Sequence, residues 1–197
     1  MTTREIVLAS TSPYRRELLA RLGLPFQTVA PDTDEARLPG ETPDALVRRL
    51  AEAKARSVAS ESPRALVIGS DQVAVLDGEV LGKPGSHVRA VEQLTRASGR
   101  RVEFLTGLCL LDAGTGEASV EVVPYAVVFR RLAPRQIDHY LVRERPYNAA
   151  GSFKSEGLGI ALFERMEGED PTALVGLPLM RLTALLAAAG VDVLTDG

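Results

Sequence analysis

Asp71 is set in the stretch Leu66-Val67-Ile68-Gly69-Ser70-Asp71-Gln72-Val73-Ala74-Val75-Leu76, which otherwise reads as a buried β-strand. A carboxylate there costs free energy unless a metal ion, a cation or several hydrogen bonds compensate it. That makes Asp71 the leading candidate for a catalytic group, against the alternative of an aspartate capping a bulge where Gly69 kinks the strand. A second carboxylate, Glu35, belongs with Asp32 and Asp34 to an acidic cluster just past a strand end. Hard oxygen ligands for magnesium or manganese commonly occupy such places, and so do solvated loops.

Cations and hydroxyls suggest where an anion would bind. Arg15 and Arg16 fall in the first turn of a helix, where the macrodipole disfavours positive charge and a bound anion would remove the conflict. Free backbone N–H groups at that helix start, the hydroxyls of Ser10 and Ser12, and a guanidinium make a phosphate cradle directly after a strand; an ordinary capped helix with surface arginines is the alternative. The sequence is not a Walker A loop. All 23 basic side chains are arginine except Lys54, Lys83 and Lys154. A lysine retained against that preference marks a position that needs a compact, hydrated point charge, as phosphate coordination does, unless it is a surface accident. Lys83 lies between Gly82 and Pro84, and Lys154 lies in the polar, glycine-bounded segment Gly151-Ser152-Phe153-Lys154-Ser155-Glu156-Gly157. His87 and His139 have no partner at a useful spacing and are assigned no chemistry.

Elements that would hold these groups can be placed from periodicity. Ile6 to Ala9 reads as a strand, and Ser12 and Pro13 as the N-cap and first residue of a helix with the stripe Leu18, Leu19 and Leu22, ended by Gly23. Phe26 to Ala30 reads as a strand leading to the acidic segment. A helix opening at Thr42-Pro43-Asp44 buries Leu46, Leu50 and Ala53, with Lys54 on the edge of that stripe. Asp77-Gly78 turns the Asp71 strand into Val80-Leu81, and a helix follows near Val88 to Ala97. Val102 to Leu111 and Val120 to Phe129 form a hairpin about Gly114-Thr115-Gly116. Pro134 opens another helix, and the last one carries Leu179, Leu182, Leu185 and Leu186 up to Gly190.

The 197 residues, 45% hydrophobic, suffice for a proper core in one α/β domain or two closely joined lobes, with no repeat and no low-complexity linker. A net charge of -3, 5% aromatics and no tryptophan exclude a basic aromatic nucleic-acid face and a protein that coats anionic membranes. Met1-Thr2-Thr3-Arg4-Glu5 opens no secretory signal, and no apolar run reaches a bilayer's span, so a cytoplasmic location is expected. The single cysteine, Cys109, flanked by Leu108 and Leu110, reads as a core residue.

Taken together, Leu8-Ala9-Ser10-Thr11-Ser12-Pro13-Tyr14-Arg15-Arg16-Glu17-Leu18-Leu19, then Asp34-Glu35, Lys54-Ala55, Gly69-Ser70-Asp71, Gly82-Lys83-Pro84 and Val175-Gly176-Leu177-Pro178-Leu179 resemble the Maf family, in order and over nearly the whole chain. The resemblance implies a single Maf-like domain over residues 1–197. It implies an α/β, ITPase-like mixed sheet with flanking helices, in two lobes around a deep cleft. It further implies hydrolysis of a nucleoside triphosphate to the monophosphate and pyrophosphate with a divalent metal cation, Mg2+ or Mn2+. On it, Asp71 accepts the proton of the attacking water, Glu35 helps hold the metal, and Ser10, Ser12, Arg15, Lys54 and Lys83 hold the triphosphate. Gly69-Ser70-Asp71-Gln72-Val73, Gly151 to Gly157 and Leu162-Phe163-Glu164-Arg165 resemble the branch acting on 7-methyl-GTP rather than on dTTP and UTP. Tyr14, Gln72 and Glu156 match positions that separate the branches, with Tyr14 standing where arginine or tryptophan is common. A small-molecule nucleotide is the expected partner, nucleic acid and membrane are not, and a homodimer is compatible with the resemblance. The rival reading is a nucleotide-binding regulator of septum formation that acts through partner contacts.

Overall fold

The computed structural model describes residues 4–195. Met1 to Thr3, part of the segment read above for a targeting signal, lie outside the described residues. Twelve regular elements follow in chain order: β1 (Ile6–Ala9), α1 (Pro13–Ala20), β2 (Gln27–Val29), α2 (Pro43–Ala59), β3 (Leu66–Leu76), β4 (Glu79–Leu81), α3 (His87–Ala97), β5 (Arg101–Asp112), β6 (Ala118–Phe129), α4 (Pro134–Glu144), β7 (Phe163–Glu167) and α5 (Leu179–Ala188). Each of these matches an expected element except β7, where Glu164, Arg165 and Glu167 mask the strand pattern, and α1 closes at Ala20, before the expected stripe residue Leu22. The glycine-bounded segment begins within a 3-10 turn, Ala150–Ser152, and leads into a second at Leu158–Leu162.

The strands make one seven-stranded mixed sheet in the order β2-β1-β3-β5-β6-β7, with β4 also paired to β3. β1 runs parallel to both β2 and β3, and the remaining pairings are antiparallel. β3 is the hinge of this arrangement. On one edge β5 pairs with it from Leu66 to Val75; on the other, β1 stops at Ala9 opposite Gly69 and β4 begins only opposite Ala74. Residues 70–73 therefore present an edge that no strand covers, in a notch at the carboxyl ends of the parallel strands, where open α/β sheets place their ligands.

Alternation along β3 sends its two faces to different neighbours. Val67 packs with Ala51 and Ala55 of α2, and Val73 with Leu46, Val47 and Leu50, whereas Leu66 and Ile68 pack on the opposite face with Leu18 and Leu19 of α1 and Leu182 and Leu186 of α5. Gly69 and Asp71 belong to the α2 face, and Gly107 of β5 lies directly across from Asp71. A Cβ on Gly69 would sit 2.1 Å from the Ala51 carbonyl oxygen, and one on Gly107 would sit 2.2 Å from that of Val47. The two glycines thus let the backbone of α2 rest on the backbone of the sheet. This close seating turns the helix slightly from its expected register: Ala51, Lys54 and Ala55 are buried, and Ala53, the expected stripe residue, is only half-buried.

Because the clashing atoms are backbone, Gly107→Ala should destabilise the protein by about 1–3 kcal/mol or more through overpacking, measured as the shift in denaturant midpoint. Gly82→Ala, where a Cβ would meet nothing within 4 Å, should stay within about 0.5 kcal/mol of the parent.

Candidate active site

Seating α2 on the glycines delivers Lys54 to Asp71. The ammonium lies 2.7 Å from Asp71 Oδ1 and 2.5 Å from Glu35 Oε1, with the lysine side chain 7% exposed, Asp71 12% and Glu35 57%. The strand carboxylate thus has the compensating cation its surroundings demand. The hydrogen bond from Lys54 holds Glu35 below the ordinary glutamate range, against partial desolvation and with help from the charges of Lys83 and Arg15.

At the start of α1 the side chains of Ser10, Ser12 and Arg15 stand together, with Ser12 in the expected capping position. Ser12 caps the helix by accepting from the Arg15 N–H at 3.4 Å, Ser10 Oγ accepts from the Ser12 N–H at 3.1 Å, and Pro13 is the first helical residue. The Arg15 guanidinium reaches back across the notch, and its Nε donates to the Gly176 carbonyl at 2.9 Å. Burial pulls its pKa below the usual arginine value while Asp71 and Glu35 oppose that shift, and arginine stays charged throughout. Arg16 is exposed and takes no part in the cavity wall.

The Gly176 carbonyl is held in place from the other face of β3, where buried Ser70 donates to it at 2.9 Å. Gln72 Nε2 donates to Ala173 O at 2.7 Å, to Leu174 O at 3.1 Å and to Thr106 Oγ1 at 3.0 Å, and Thr106 Oγ1 donates to Ala173 O at 2.9 Å. The turn over residues 171–176 is thereby strapped to the sheet. Asp170, 2% exposed, ties it to α5 by accepting from the N–H groups of Thr172 and Met180 and from the Thr172 hydroxyl.

These groups surround a cavity of about 390 Å³. Ser10, Ser12, Tyr14, Arg15, Glu35, Lys54, Gln72, Lys83 and Glu156 all line it, so nine of the ten residues singled out in the sequence converge on one space. Asp71 lies behind the wall, covered by Lys54. Gln72 borders the cavity, but its amide nitrogen is committed to the 173–174 turn, which leaves the carbonyl oxygen as its face toward a ligand. Phe153, 5% exposed, is locked edge-to-face among Phe104, Phe129 and Phe163 at centroid distances of 5.3, 5.7 and 4.8 Å, so half-buried Tyr14 is the freer aromatic for stacking.

Sequence reasoning missed Phe104 and Asn148, which also line the cavity: Phe104 looks like any inward residue of an alternating strand, and Asn148 lies in a turn without a motif. Lys154 lines it too, as its isolation among arginines hinted. His87 does find partners, the Tyr147 hydroxyl at 3.1 Å and Asp138 at 3.0 Å, but away from the cavity wall. Cys109 is fully buried with its thiol pKa pushed up to about 12, as suits a core residue.

The Lys54 bond can be read out directly. In a carbon-detected NMR titration Glu35 should ionise below the ordinary glutamate range, and in Lys54→Met its midpoint should rise. Since the folded value is the depressed one, whatever stability this pair supplies is present above the unfolded glutamate pKa and fades as pH falls through the folded value. An unchanged midpoint in Lys54→Met would contradict the assignment.

Comparison with known proteins identifies the family. The sequence profile of the Maf-like protein family matches residues 5–189. The chain is 63% identical over 189 residues to a protein of Nitrosococcus oceani named 7-methyl-GTP pyrophosphatase, covering 96% of this chain and 95% of the relative. Proteins of the same name from Pseudomonas syringae and Pseudomonas aeruginosa are 58% and 54% identical, covering 95% and 96% of this chain and 98% of each relative. Among solved structures, that of the Staphylococcus aureus Ham1 protein superposes with a TM-score of 0.53 at 17% identity, over 94% of this chain and 100% of its own, a likeness of fold. The profile match, the identity to these relatives and the motifs gathered around one cavity establish that the chain belongs to the Maf family.

Proposed function

We propose that this protein hydrolyses 7-methyl-GTP to 7-methyl-GMP and pyrophosphate, removing a modified nucleotide from the free pool. The observation that carries the reading is Lys54, shared between Asp71 and Glu35 on a cavity that also collects Arg15, Lys83, Ser10 and Ser12. The names of the relatives support the substrate. Among the described residues no helix is long and apolar enough to cross a membrane.

The chemistry needs a water oxygen to attack the α-phosphorus while the bond to the bridging oxygen breaks and pyrophosphate leaves. Triphosphate entering the cavity competes with the carboxylates for the Lys54 ammonium and frees Asp71 to orient a water and accept its proton. Arg15, Lys54 and Lys83 spread positive charge over the phosphates and the leaving pyrophosphate, an effect that is strong where water is displaced. The Ser10 and Ser12 hydroxyls and the start of α1 hold the phosphate oxygens.

A divalent cation belongs to this reading. Glu35 offers a hard carboxylate on the cavity wall beside the Lys54 ammonium, while no group of three or more acidic, histidine or cysteine ligands occurs among the described residues. That donor set fits magnesium or manganese bound through one or two carboxylates plus substrate phosphates, and not an all-protein cage. When bound, the metal supplies charge neutralisation at the phosphates.

7-Methylguanine is cationic and presents N–H donors on its pairing edge. Stacking on Tyr14 is worth about 0.5–2 kcal/mol, and the exposed carboxylate of Glu156, which lines the cavity, can accept from those donors. In a competition assay with product analysis, kcat/KM for 7-methyl-GTP should exceed that for GTP, dTTP and UTP, and Glu156→Ala should narrow the gap. Preference for dTTP or UTP would overturn the substrate, and nucleotide binding without pyrophosphate release would overturn the enzymatic reading.

A further inference from the structure

Lys83 and the segment over residues 151–157 reach the cavity from different parts of the chain, and the contact that joins them lies outside the cavity wall. Ser152 is fully buried and holds a left-handed backbone with φ 63°, directly after Gly151 at φ 75°. A residue with a Cβ adopts that conformation only where its surroundings hold it. Here the holder is Gln93 of α3: Ser152 Oγ donates to Gln93 Oε1 at 2.5 Å, and Gln93 Nε2 donates to the Gly82 carbonyl at 3.0 Å. The polarity is dictated by the carbonyl, which can only accept, so the amide nitrogen must face Gly82 and the amide oxygen must face the serine.

One side chain therefore grips the residue before Lys83 with one end and the residue before Phe153 with the other. A second strap runs parallel to it, from the Gly85 N–H to the Tyr147 carbonyl at 2.9 Å and from His87 to the Tyr147 hydroxyl, next to cavity-lining Asn148. Among these links Gln93 alone joins the two segments through a single amide with no slack.

We infer that Gln93 is a positioning residue that fixes the spacing between Lys83, on the phosphate side, and the segment carrying Phe153, Lys154 and Glu156, on the base side. The inference rests on the nucleoside triphosphate reading of the cavity. It adds that the length of the substrate is gauged by a residue that does not touch it.

Hydrogen exchange on the full chain tests the link without reference to turnover. Gln93→Leu should speed exchange in both 82–86 and 150–157. Gln93→Glu, which keeps an acceptor for Ser152 but sets a carboxylate against the Gly82 carbonyl, should speed it in 82–86 alone, and Ser152→Ala in 150–157 alone. Should Gln93→Leu fail to fold, the other two variants carry the test. In kinetics, Gln93→Leu should lower kcat/KM for 7-methyl-GTP by about tenfold or more, the scale of a lost alignment. In a Lys83→Ala background the same change should cost less than about twofold, because the two act as a unit. Unchanged exchange in both segments of a folded Gln93 variant, or losses that simply multiply with Lys83→Ala, would overturn the inference. A wild-type protein that releases no pyrophosphate from any nucleotide would instead defeat the functional reading, and the exchange pattern would still decide whether Gln93 couples the segments.

Discussion

The Lys54 ammonium sits between two carboxylates at the back of the cavity, and it can be there only because α2 lies closer to the sheet than side chains ordinarily permit. Gly69 precedes Asp71 by two residues on the same face of β3, and Gly107 is its cross-strand neighbour. Removing either side chain's bulk lets the helix backbone descend, and the descent is what places a lysine head 2.7 Å from the aspartate. A buried charge left without its partner is strongly destabilising, by about 3–5 kcal/mol. Loss of either partner alone would therefore loosen the helix from the strand, and the intact pair keeps an ammonium and a carboxylate side by side at the back of the cavity.

The opposite face of β3 does complementary work. Ser70 and Gln72, the neighbours of Asp71, turn away from α2 and clasp the 171–176 turn, whose Gly176 carbonyl fixes Arg15. Gly176 has φ 113°, a conformation that side-chain-bearing residues rarely adopt, and so belongs to the anchor by its backbone. A strand that must end its pairing with β1 at Gly69 and resume with β4 at Ala74 thus presents a carboxylate on one face and the anchor of the Arg15 guanidinium on the other, from consecutive residues. The notch between the two pairings is the room into which a ligand fits.

Much of this was legible in the chain. Asp71 advertises itself as a carboxylate in an apolar strand, the three lysines stand out against an arginine-rich background, and Ser12-Pro13 announces the helix that starts the cradle. What the sequence hides are pairings across distance. Lys54 and Asp71 are separated by 17 residues and a loop, and no periodicity reports that glycines on two strands will bring them together. Lys54 reads as the edge of an apolar stripe because the local pattern favours Ala53, and only the close seating on Gly69 and Gly107 makes Ala51, Lys54 and Ala55 the buried face. Phe153 looks like a stacking residue in a polar segment, yet three other phenylalanines hold it in the core. Gln93 has no signal at all, since a half-buried glutamine on an amphipathic helix is unremarkable until its two partners are seen.

The account stands on Asp71 being the group that takes the proton once phosphate has drawn Lys54 away. Asp71→Asn keeps the shape of the side chain and a carbonyl oxygen for Lys54, and Glu35 remains to share the ammonium, so the fold should persist by circular dichroism. Pyrophosphate release from 7-methyl-GTP should then fall by at least about a hundredfold, the usual scale for a lost general base. A folded Asp71→Asn protein that releases pyrophosphate at close to the parent rate would contradict the account.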